Sequence, residues 1–336
     1  MQPKVSVIIP FLNGLPYLAD CVRSVQQQTL REIEIILVDD GSTDGSEALA
    51  DTLAAEDDRI RVLHQANSGV STARNNALAV AKGTYIGFVD ADDLAVPEMY
   101  ETLYNAAMEN KCDIVSCAYK SFREQRTVYE SPPPFPAGTV YDHDGIVEFL
   151  PYMCSKPIFS YIWRRLFSAE LIRSNAIRFD PQISIGEDTL FCIRCFLCAA
   201  RVIALPDRLY RYRHHGDSAM RSRKYKPNLS PSLIRLYAEQ KEICRTFCPE
   251  KESLFLRESA DRFYHGHVPI MLGNVYRKPQ KKYSEFRRLV RSEPFRDMFR
   301  YFDLKSERSR SLDWIQLRLV RLHLYLPAYL LGKKLH

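Results

Sequence analysis

The first third of the chain alternates between short apolar runs and longer segments of mixed polarity. Five runs rich in β-branched residues indicate buried strands, and they read "VSVIIP", "EIILVDD", "IRVLHQ", "YIGFVD" and "DIVSCA". The segments between them have helical periodicity, and one opens with the N-cap signals "GSTDGS". Strands that alternate with helices at this spacing predict βαβ units and a mostly parallel sheet in an α/β fold.

Polar side chains follow several of these predicted strands. Asp39 and Asp40 end the second strand, Asn67 follows the third, and Asp90 and Asp92 end the fourth. Parallel strands bring their carboxyl ends to one edge of the sheet, where α/β proteins bind ligands. Capping of a following turn or helix explains one such aspartate, but not the whole set. The pattern therefore predicts a ligand site at this edge.

The segment "YIGFVDADDL" places three carboxylates, Asp90, Asp92 and Asp93, within four residues, with no Lys or Arg among them. A divalent cation is the natural neutraliser of such a cluster. Mg²⁺ typically takes one or two protein carboxylates and fills its shell with water and substrate phosphates. We expect Asp93 to be a helix-entry residue. The alternative for the segment is a solvated acidic loop.

A second acidic pair, Glu187 and Asp188, precedes an apolar helix in "ISIGEDTLF". It is either an acidic helix N-terminus favoured by the macrodipole or a source of the general base that takes a proton from an acceptor hydroxyl. Arg74 falls on the third helix and is either a surface residue or a phosphate ligand. His214 and His215 could complete a metal shell or be partly buried structural residues.

Several classes of protein and site are disfavoured. No G-x-G-x-x-G follows the first strand and no P-loop is present, which argues against a nicotinamide dehydrogenase and a P-loop kinase. The cysteines of "CIRCFLC" (Cys192, Cys195 and Cys198) resemble metal ligands, but no fourth ligand lies at a customary offset, so we expect them to pack in the core. The apolar run before Pro10 is too short for a signal peptide, so we expect reduced thiols and a cytoplasmic protein.

Charge is distributed unevenly along the chain. Residues 207–336 contain 29 Lys and Arg against 14 Asp and Glu, whereas the preceding residues carry a net charge of −9. We therefore predict two domains, an acidic catalytic domain over residues 1–220 and a basic, mainly helical domain over residues 221–336. The basic part suits an anionic partner, either nucleic acid or a membrane surface. No recognisable nucleic-acid-binding module is present, and we expect no nucleic acid partner.

The last predicted helical stretch, "SLDWIQLRLVRLHLYLPAYLLGKKLH", mixes Leu, Trp and Tyr with Arg and Lys. Its polar positions 316, 318, 321 and 323 spread around a helical wheel, which makes a poor amphipathic pattern. The stretch is either a helix docked on the catalytic domain or an interfacial membrane-binding segment. The basic charge favours the membrane.

Five motifs in order resemble the inverting family 2 glycosyltransferases of bacterial polysaccharide synthesis. They read "VSVIIPFLNG", "ILVDDGSTDGS", "NSGVSTARN", "GTYIGFVDADD" and "IGEDTLF", and the resemblance covers residue 4 to about residue 220. It implies a GT-A nucleotide-sugar-binding fold with a mostly parallel central sheet, followed by a smaller helical C-terminal region. A sugar nucleotidyltransferase is the alternative enzyme, although its Gly-rich basic loop after the first strand is missing.

The resemblance also implies residue roles. Nucleotide-sugar binding would fall to Pro10, Phe11, Asp40 (uracil), Asn67, Arg74 (diphosphate), Asp90 and Ala91. A divalent cation, Mn²⁺ or Mg²⁺, would be held chiefly by Asp92, with contributions from Asp90 and His215. Asp188 would be the catalytic base and Glu187 would orient the acceptor.

The implied reaction is the transfer of a hexosyl group from a nucleotide-sugar, most often a UDP-sugar, to a hydroxyl of a glycan or lipid-linked oligosaccharide. An anionic membrane surface at the inner face of the cell membrane is a further expected partner. In such a reaction the metal would support the departing diphosphate.

Overall fold

The structure is a computed structural model that describes residues 2–124, 126–215, 225–278, 283–302 and 312–335. The chain divides into two compact units. The first consists of Met1–Glu148, Pro157–Gln182 and Glu187–Ser218, and the second of Phe149–Lys156, Ile183–Gly186 and Ala219–His336. Two short segments upstream of residue 200 thus belong to the second unit. The domain boundary near residue 220 stays a prediction.

The first unit contains a ten-stranded sheet in its described part. The strands are β1 (Val5–Phe11), β2 (Ile33–Asp39), β3 (Ile60–His64), β4 (Tyr85–Phe88), β5 (Leu94–Ala95), β6 (Ile114–Arg123), β7 (Arg126–Ser131), β8 (Val140–Asp142), β9 (Arg165–Ser168) and β10 (Arg201–Arg213). The five strands predicted from the sequence are β1, β2, β3, β4 and β6, so those predictions are confirmed.

The strand order is β3-β2-β1-β4-β9-β6-β10-β5, with β7 paired to β6 and β8 paired to β10. Strand β1 pairs in parallel with β2 and β4, β2 with β3, and β6 with β10. Strand β9 runs antiparallel to both β4 and β6, which leaves β6 and β10 in the same direction as β1–β4. The expected mostly parallel α/β sheet is confirmed, and six strands end at the same edge.

Helices cover this sheet and build the second unit. In the first unit they are α1 (Leu18–Gln26), α2 (Ser46–Glu56), α3 (Val70–Val80), α4 (Met99–Asn110), α5 (His143–Val147), α7 (Ala169–Ser174) and α8 (Glu187–Cys198). In the second unit they are α6 (Leu150–Ser155), α9 (Leu229–Phe247), α10 (Glu252–Arg262), α11 (Val268–Arg277), α12 (Tyr283–Val290), α13 (Glu293–Tyr301), α14 (Leu312–Arg321) and α15 (Tyr325–Leu335).

Strands β1 and β2 form the centre of the core. All seven residues of β1 are buried and six of the seven in β2 are, because helices cover both faces of a parallel sheet. A close backbone approach secures the turn before β4. There the Gly83 amide donates to Ser6 Oγ at 2.7 Å and to Glu34 Oε1 at 3.1 Å. A side chain at Gly83 would collide with the Ser6 backbone.

The second unit contains helices and no strand in its described part, as predicted for a mainly helical region. Its helices are tied by a polar cluster in which Lys241 Nζ contacts Glu293 Oε1 at 2.8 Å and Asp297 Oδ2 at 2.6 Å. Tyr237 Oη donates to the same Asp297 oxygen at 2.6 Å. None of the helices in the described residues combines the length and the apolar character that crossing a membrane requires.

Candidate active site

The carboxyl ends of the parallel strands gather polar side chains from distant parts of the chain. Asp39 ends β2, Asp90 and Asp92 follow β4, and His215 follows β10. Because these strands run in one direction, their polar ends meet at one edge, as the sequence predicted. Helix α8 adds Glu187 and Asp188, which occupy its first turn.

Asp40 holds the loop that follows β3. Its Oδ1 accepts from the Ser68 amide at 2.7 Å and from Gln65 Nε2 at 2.8 Å, and its Oδ2 accepts from the Gly69 amide at 2.9 Å. Asp40 is buried, whereas Asn67 in the same loop is exposed. The carboxylate therefore fixes the entry of α3 from a neighbouring strand, and does not simply cap the turn that follows it in sequence.

Asp39 and the end of β1 complete this part of the edge. Asp39 accepts from the Ser42 amide at 2.8 Å, and its Oδ2 lies 3.1 Å from His64 Nδ1. Burial raises the pKa of Asp39, but the bonds from Ser42 and His64 outweigh it and leave the pKa below its ordinary value. Pro10 and Phe11 are buried, and the Phe11 carbonyl accepts from the Asp40 amide at 2.9 Å.

Arg74 joins three of the predicted acidic residues. Its Nη1 lies 2.7 Å from Asp188 Oδ1 and 3.1 Å from Glu187 Oε1, and its Nη2 lies 3.4 Å from Asp90 Oδ1. Arg74 is only 4% exposed, so these contacts are largely shielded from water. The structure thus brings four predicted site residues into one network, and Arg74 faces carboxylates.

Two carboxyl groups of this network, those of Asp188 and Asp90, have perturbed acidity. Burial raises the pKa of Asp188 well above its ordinary value, while the Arg74 guanidinium opposes the rise. Burial likewise raises the pKa of Asp90 to about 6, again against the effect of Arg74. Perturbed carboxyl groups of this kind, desolvated and beside a specific charge partner, are typical of catalytic sites.

Asp92 and His215 form a second cluster at the same edge of the sheet. Asp92 Oδ2 lies 2.6 Å from His215 Nε2, and the Asp92 side chain is 37% exposed. The His215 ring lies 4.7 Å from the Tyr17 ring, and its buried Nδ1 has no hydrogen-bond partner among the residues that the structure describes. His214 contributes differently, since its ring lies against Tyr212 with centroids 5.2 Å apart.

The expectation that Asp93 is a helix-entry residue is wrong. Asp93 is fully buried, and its carboxylate accepts from Tyr210 Oη at 2.8 Å and from the Arg213 amide at 2.6 Å. It precedes the short strand β5, and helix α4 begins only at Met99. Strand β10 covers Asp93, and burial raises its pKa well above the ordinary value. Asp93 therefore anchors β10 to the acidic segment.

Three site residues were missed by the sequence analysis: Tyr17, Tyr210 and Arg213. Arg213 Nε donates to the Asp92 carbonyl at 2.8 Å, and its guanidinium lies 5.2 Å from the centre of the Tyr17 ring. The alternating "YRYR" at the end of β10 was the available signal, because alternation in a strand sends tyrosines and arginines to opposite faces. Tyr17 had no comparable signal.

The donor atoms at this edge fit a hard divalent cation that is completed by substrate. The described residues contain no group of three or more His, Cys, Asp or Glu side chains placed to hold a metal ion by themselves. Mg²⁺ needs no such cage, since it commonly takes one or two carboxylates together with phosphate oxygens. Asp92 and Asp90 would supply those carboxylates, with His215 beside Asp92, and Ala91 between the two aspartates is half-buried.

The cysteine segment packs in the core at two of its three cysteines, as expected, whereas the expectation is wrong for Cys198. Cys192 and Cys195 are buried on α8, and Cys198 is exposed at its end. Arg165 is fully buried beside them and lies 3.5 Å from Cys192 Sγ. These residues support the helix that carries Glu187 and Asp188.

The family model described as glycosyl transferase family 2 matches residues 6–178. The uncharacterized glycosyltransferase EpsJ of Bacillus subtilis is 35% identical over 88% of each chain. Glycosyltransferase GlyG of Streptococcus pneumoniae is 33% identical over 73% of this chain and 81% of that protein. Among solved structures, S. aureus TarS 1-349 in complex with UDP-GlcNAc superposes with a TM-score of 0.68 at 19% identity, over 98% of this chain and 90% of that one.

The structural likeness confirms the expected α/β fold of the GT-A type. The matched family segment contains the ends of β1–β4, where Asp40, Arg74, Asp90 and Asp92 lie, and the similarity to EpsJ extends along nearly the whole chain. On these findings the chain belongs to glycosyl transferase family 2.

Proposed function

We propose that this chain transfers a hexosyl group from a UDP-sugar to a hydroxyl of a glycan or lipid-linked oligosaccharide in the synthesis of a cell-surface polysaccharide. The observation that carries the proposal is the placement of two acidic pairs, Asp90 with Asp92 and Glu187 with Asp188, at one sheet edge. A donor site needs the first pair and an acceptor site needs the second.

The donor would lie over the ends of β1–β4. The loop that Asp40 holds, the buried end of β1 at Pro10 and Phe11, and the exposed Asn67 would border the nucleotide. The solved TarS complexes contain UDP and UDP-GlcNAc, which supports a uridine nucleotide here. Mn²⁺ or Mg²⁺, held by Asp92 with Asp90 and His215, would supply positive charge for the leaving diphosphate.

The base would be Asp188. A carboxylate whose pKa is raised by burial is a better proton acceptor near neutral pH than an ordinary aspartate. The Arg74 contact at 2.7 Å would orient Asp188 before the acceptor arrives, and it opposes the rise in the Asp188 pKa that burial causes. The acceptor oxygen then attacks the anomeric carbon as its proton passes to Asp188, and the bond to the diphosphate breaks. A single displacement of this kind inverts the anomeric configuration.

The test separates chemistry from binding. We expect Asp188→Asn to abolish transfer while leaving metal-dependent donor binding nearly intact, because the amide cannot take the acceptor proton. Donor binding is measured by calorimetry with UDP in the presence of Mn²⁺ or Mg²⁺, and transfer by release of UDP from a panel of nucleotide-sugars. Glu109→Gln, an exposed carboxyl-to-amide change on α4, is the matched control.

Two outcomes would contradict the assignment. Loss of both transfer and donor binding in Asp188→Asn would make Asp188 a structural residue. Transfer that survives the substitution would place the base elsewhere. For the metal, Asp92→Asn is expected to weaken donor binding with the metal present and to change little in its absence.

A further inference from the structure

The two last helices form a hairpin, defined here as residues 312–335 and called the C-terminal hairpin. Helices α14 and α15 are joined by a three-residue turn in which His323 has a φ of 60°. The inner face packs through Leu317, Val320, Ala328 and Tyr329, which are all nearly fully buried. The hairpin therefore has one face committed to the second unit.

Gln316 explains why the sequence pattern looked poorly amphipathic. Its side chain is fully buried, and its Nε2 donates to Tyr276 Oη at 2.7 Å and to the Ala328 carbonyl at 3.1 Å. Gln316 is thus an inner-face residue whose amide ties α14 to α11 and α15. Once it is assigned to the interior, Arg318 and Arg321 remain as the polar residues of α14 that are exposed in the described part of the chain.

That outer face mixes leucine with basic residues. On α14, Ile315 and Arg318 follow at helical spacing, and Leu322 continues the row into the turn. On α15, Leu326, Leu330 and Lys333 follow at the same kind of spacing. All six are exposed. The turn adds Leu324, so that three leucines within five residues are 66%, 46% and 51% exposed at Leu322, Leu324 and Leu326. Exposed leucines at this density indicate a binding surface.

The charges of the outer face have a single sign. Arg318, Arg321 and Lys333 are exposed, and the sequence of the hairpin contains a single acidic residue, Asp313, near the start of α14. The Arg318 guanidinium lies 4.6 Å from the centre of the Trp314 ring, which pairs an aromatic ring with a cation near the same face. Aromatic and basic residues beside leucines match the boundary between lipid headgroups and acyl chains.

We propose that the outer face of the C-terminal hairpin binds a bilayer surface that contains anionic lipid. Leu322, Leu324 and Leu326 enter the headgroup boundary, while Arg318, Arg321 and Lys333 face the lipid phosphates. A protein partner would need a surface both apolar and acidic to match this face, whereas an anionic bilayer presents both properties everywhere. The proposal concerns attachment and does not depend on the chemistry at the sheet edge.

The test is flotation of the full chain with two kinds of vesicle. Phosphatidylcholine vesicles serve as the neutral surface, and phosphatidylcholine mixed with phosphatidylglycerol as the anionic one. We expect the chain to float with the anionic vesicles and to be released by salt. The double variant Leu322→Glu/Leu326→Glu should lower the partition coefficient by about tenfold or more, since two leucines lose their favourable burial.

The matched control is Met108→Glu/Val128→Glu, which places the same charges at exposed apolar positions of the first unit. It should float like the unchanged chain. A second measurement needs no substitution: brominated anionic lipid should quench Trp314, while Trp163, buried in the first unit, stays protected. Donor hydrolysis should be equal in all variants, which shows that they fold.

Three results would overturn the proposal. The chain could fail to float with either vesicle, or the Leu322→Glu/Leu326→Glu variant could float as well as its control. In the third, light scattering would show self-association that this variant removes, and no vesicle binding would be seen. A second copy of the chain would then be the occupant of the face.

Discussion

Arg74 offers the sharpest test of the site, because the structure and the family resemblance assign it different partners. The resemblance places Arg74 near the diphosphate, whereas the structure places it against Asp188, Glu187 and Asp90. Substitution by Met keeps much of the side-chain volume and removes the charge. Arg74→Met should therefore leave buried carboxylates without their cation.

The magnitude follows from the geometry. Removing one partner of a buried ion pair typically costs about 3–5 kcal/mol. We expect about 3 kcal/mol, the lower end of that range, because the Asp90 side chain is 33% exposed and can recover some hydration. In a folding unit of this size, that loss corresponds to a fall in Tm of roughly 6–12 °C.

The loss of stability in Arg74→Met should depend on pH in a defined direction. Burial already raises the pKa of Asp188 above its ordinary value, and loss of Arg74 raises it further. Ionisation of such a group destabilises the folded state as pH rises through the folded-state pKa. The difference in Tm between the two proteins should therefore be largest at neutral and alkaline pH, and should shrink as pH falls towards the ordinary aspartate value of 3.8.

The assay is thermal unfolding of Arg74→Met, Arg74→Lys and the unchanged chain across that pH range, together with UDP binding. Arg208→Met is the matched control, since Arg208 contacts Glu130 at 3.0 Å with 45% of its side chain exposed. That control should lose only about 1 kcal/mol or less. The reasoning would be refuted if Arg74→Met lost no more stability than the control variant, or if its loss of stability did not change with pH. Loss of UDP binding without loss of stability would favour the diphosphate role.

Two further predictions concern stability. Burial and the charge of Arg262 lower the pKa of His267 to about 4, so the folded second unit resists protonation of this ring. The free energy of unfolding should therefore fall by about 3 kcal/mol as pH drops from 6.5 to 4. In denaturant titrations, His267→Gln should make the free energy of unfolding depend less on pH. An unchanged pH dependence would show that other groups are responsible. Gly83→Ala should cost about 3 kcal/mol, because its Cβ would meet the Ser6 backbone, whereas Gly138→Ala, which meets nothing within 4 Å, should cost only about 1 kcal/mol for its positive φ. Equal losses in the two alanine variants would remove the close-approach argument.

Local patterns predicted most of the first unit. The β-branched runs predict the strands that line the site, and parallel pairing of those strands predicts that Asp39, Asp90 and Asp92 lie at one edge. The position of these residues depends on strand direction, which periodicity and connection length indicate well. Their side-chain partners depend on contacts that no local pattern contains.

The errors and omissions follow from that difference. Asp93 was misread because its partner Tyr210 lies 117 residues further along the chain. The sequence alone does not distinguish a surface role from a phosphate-binding role for Arg74, because its partner Asp188 lies 114 residues away. The last segment has a poor amphipathic pattern because Gln316 counts as a polar position, although its amide is buried and bonded to Tyr276. A helical wheel contains no information about such a partner.

The same long-range contacts decide how small a working enzyme can be. Strand β10 returns to the sheet late in the chain and delivers Arg213 and His215 to a segment that ends 120 and more residues earlier. A fragment that stops with the family-model segment at residue 178 would keep Asp90, Asp92 and Arg74, but it would lack the proposed base and the strand that covers Asp93. During synthesis on the ribosome, more than a hundred residues must therefore be added after the acidic segment before Arg213 and His215 are present to contact it. The acidic segment can reach its final arrangement only after β10 has joined the sheet.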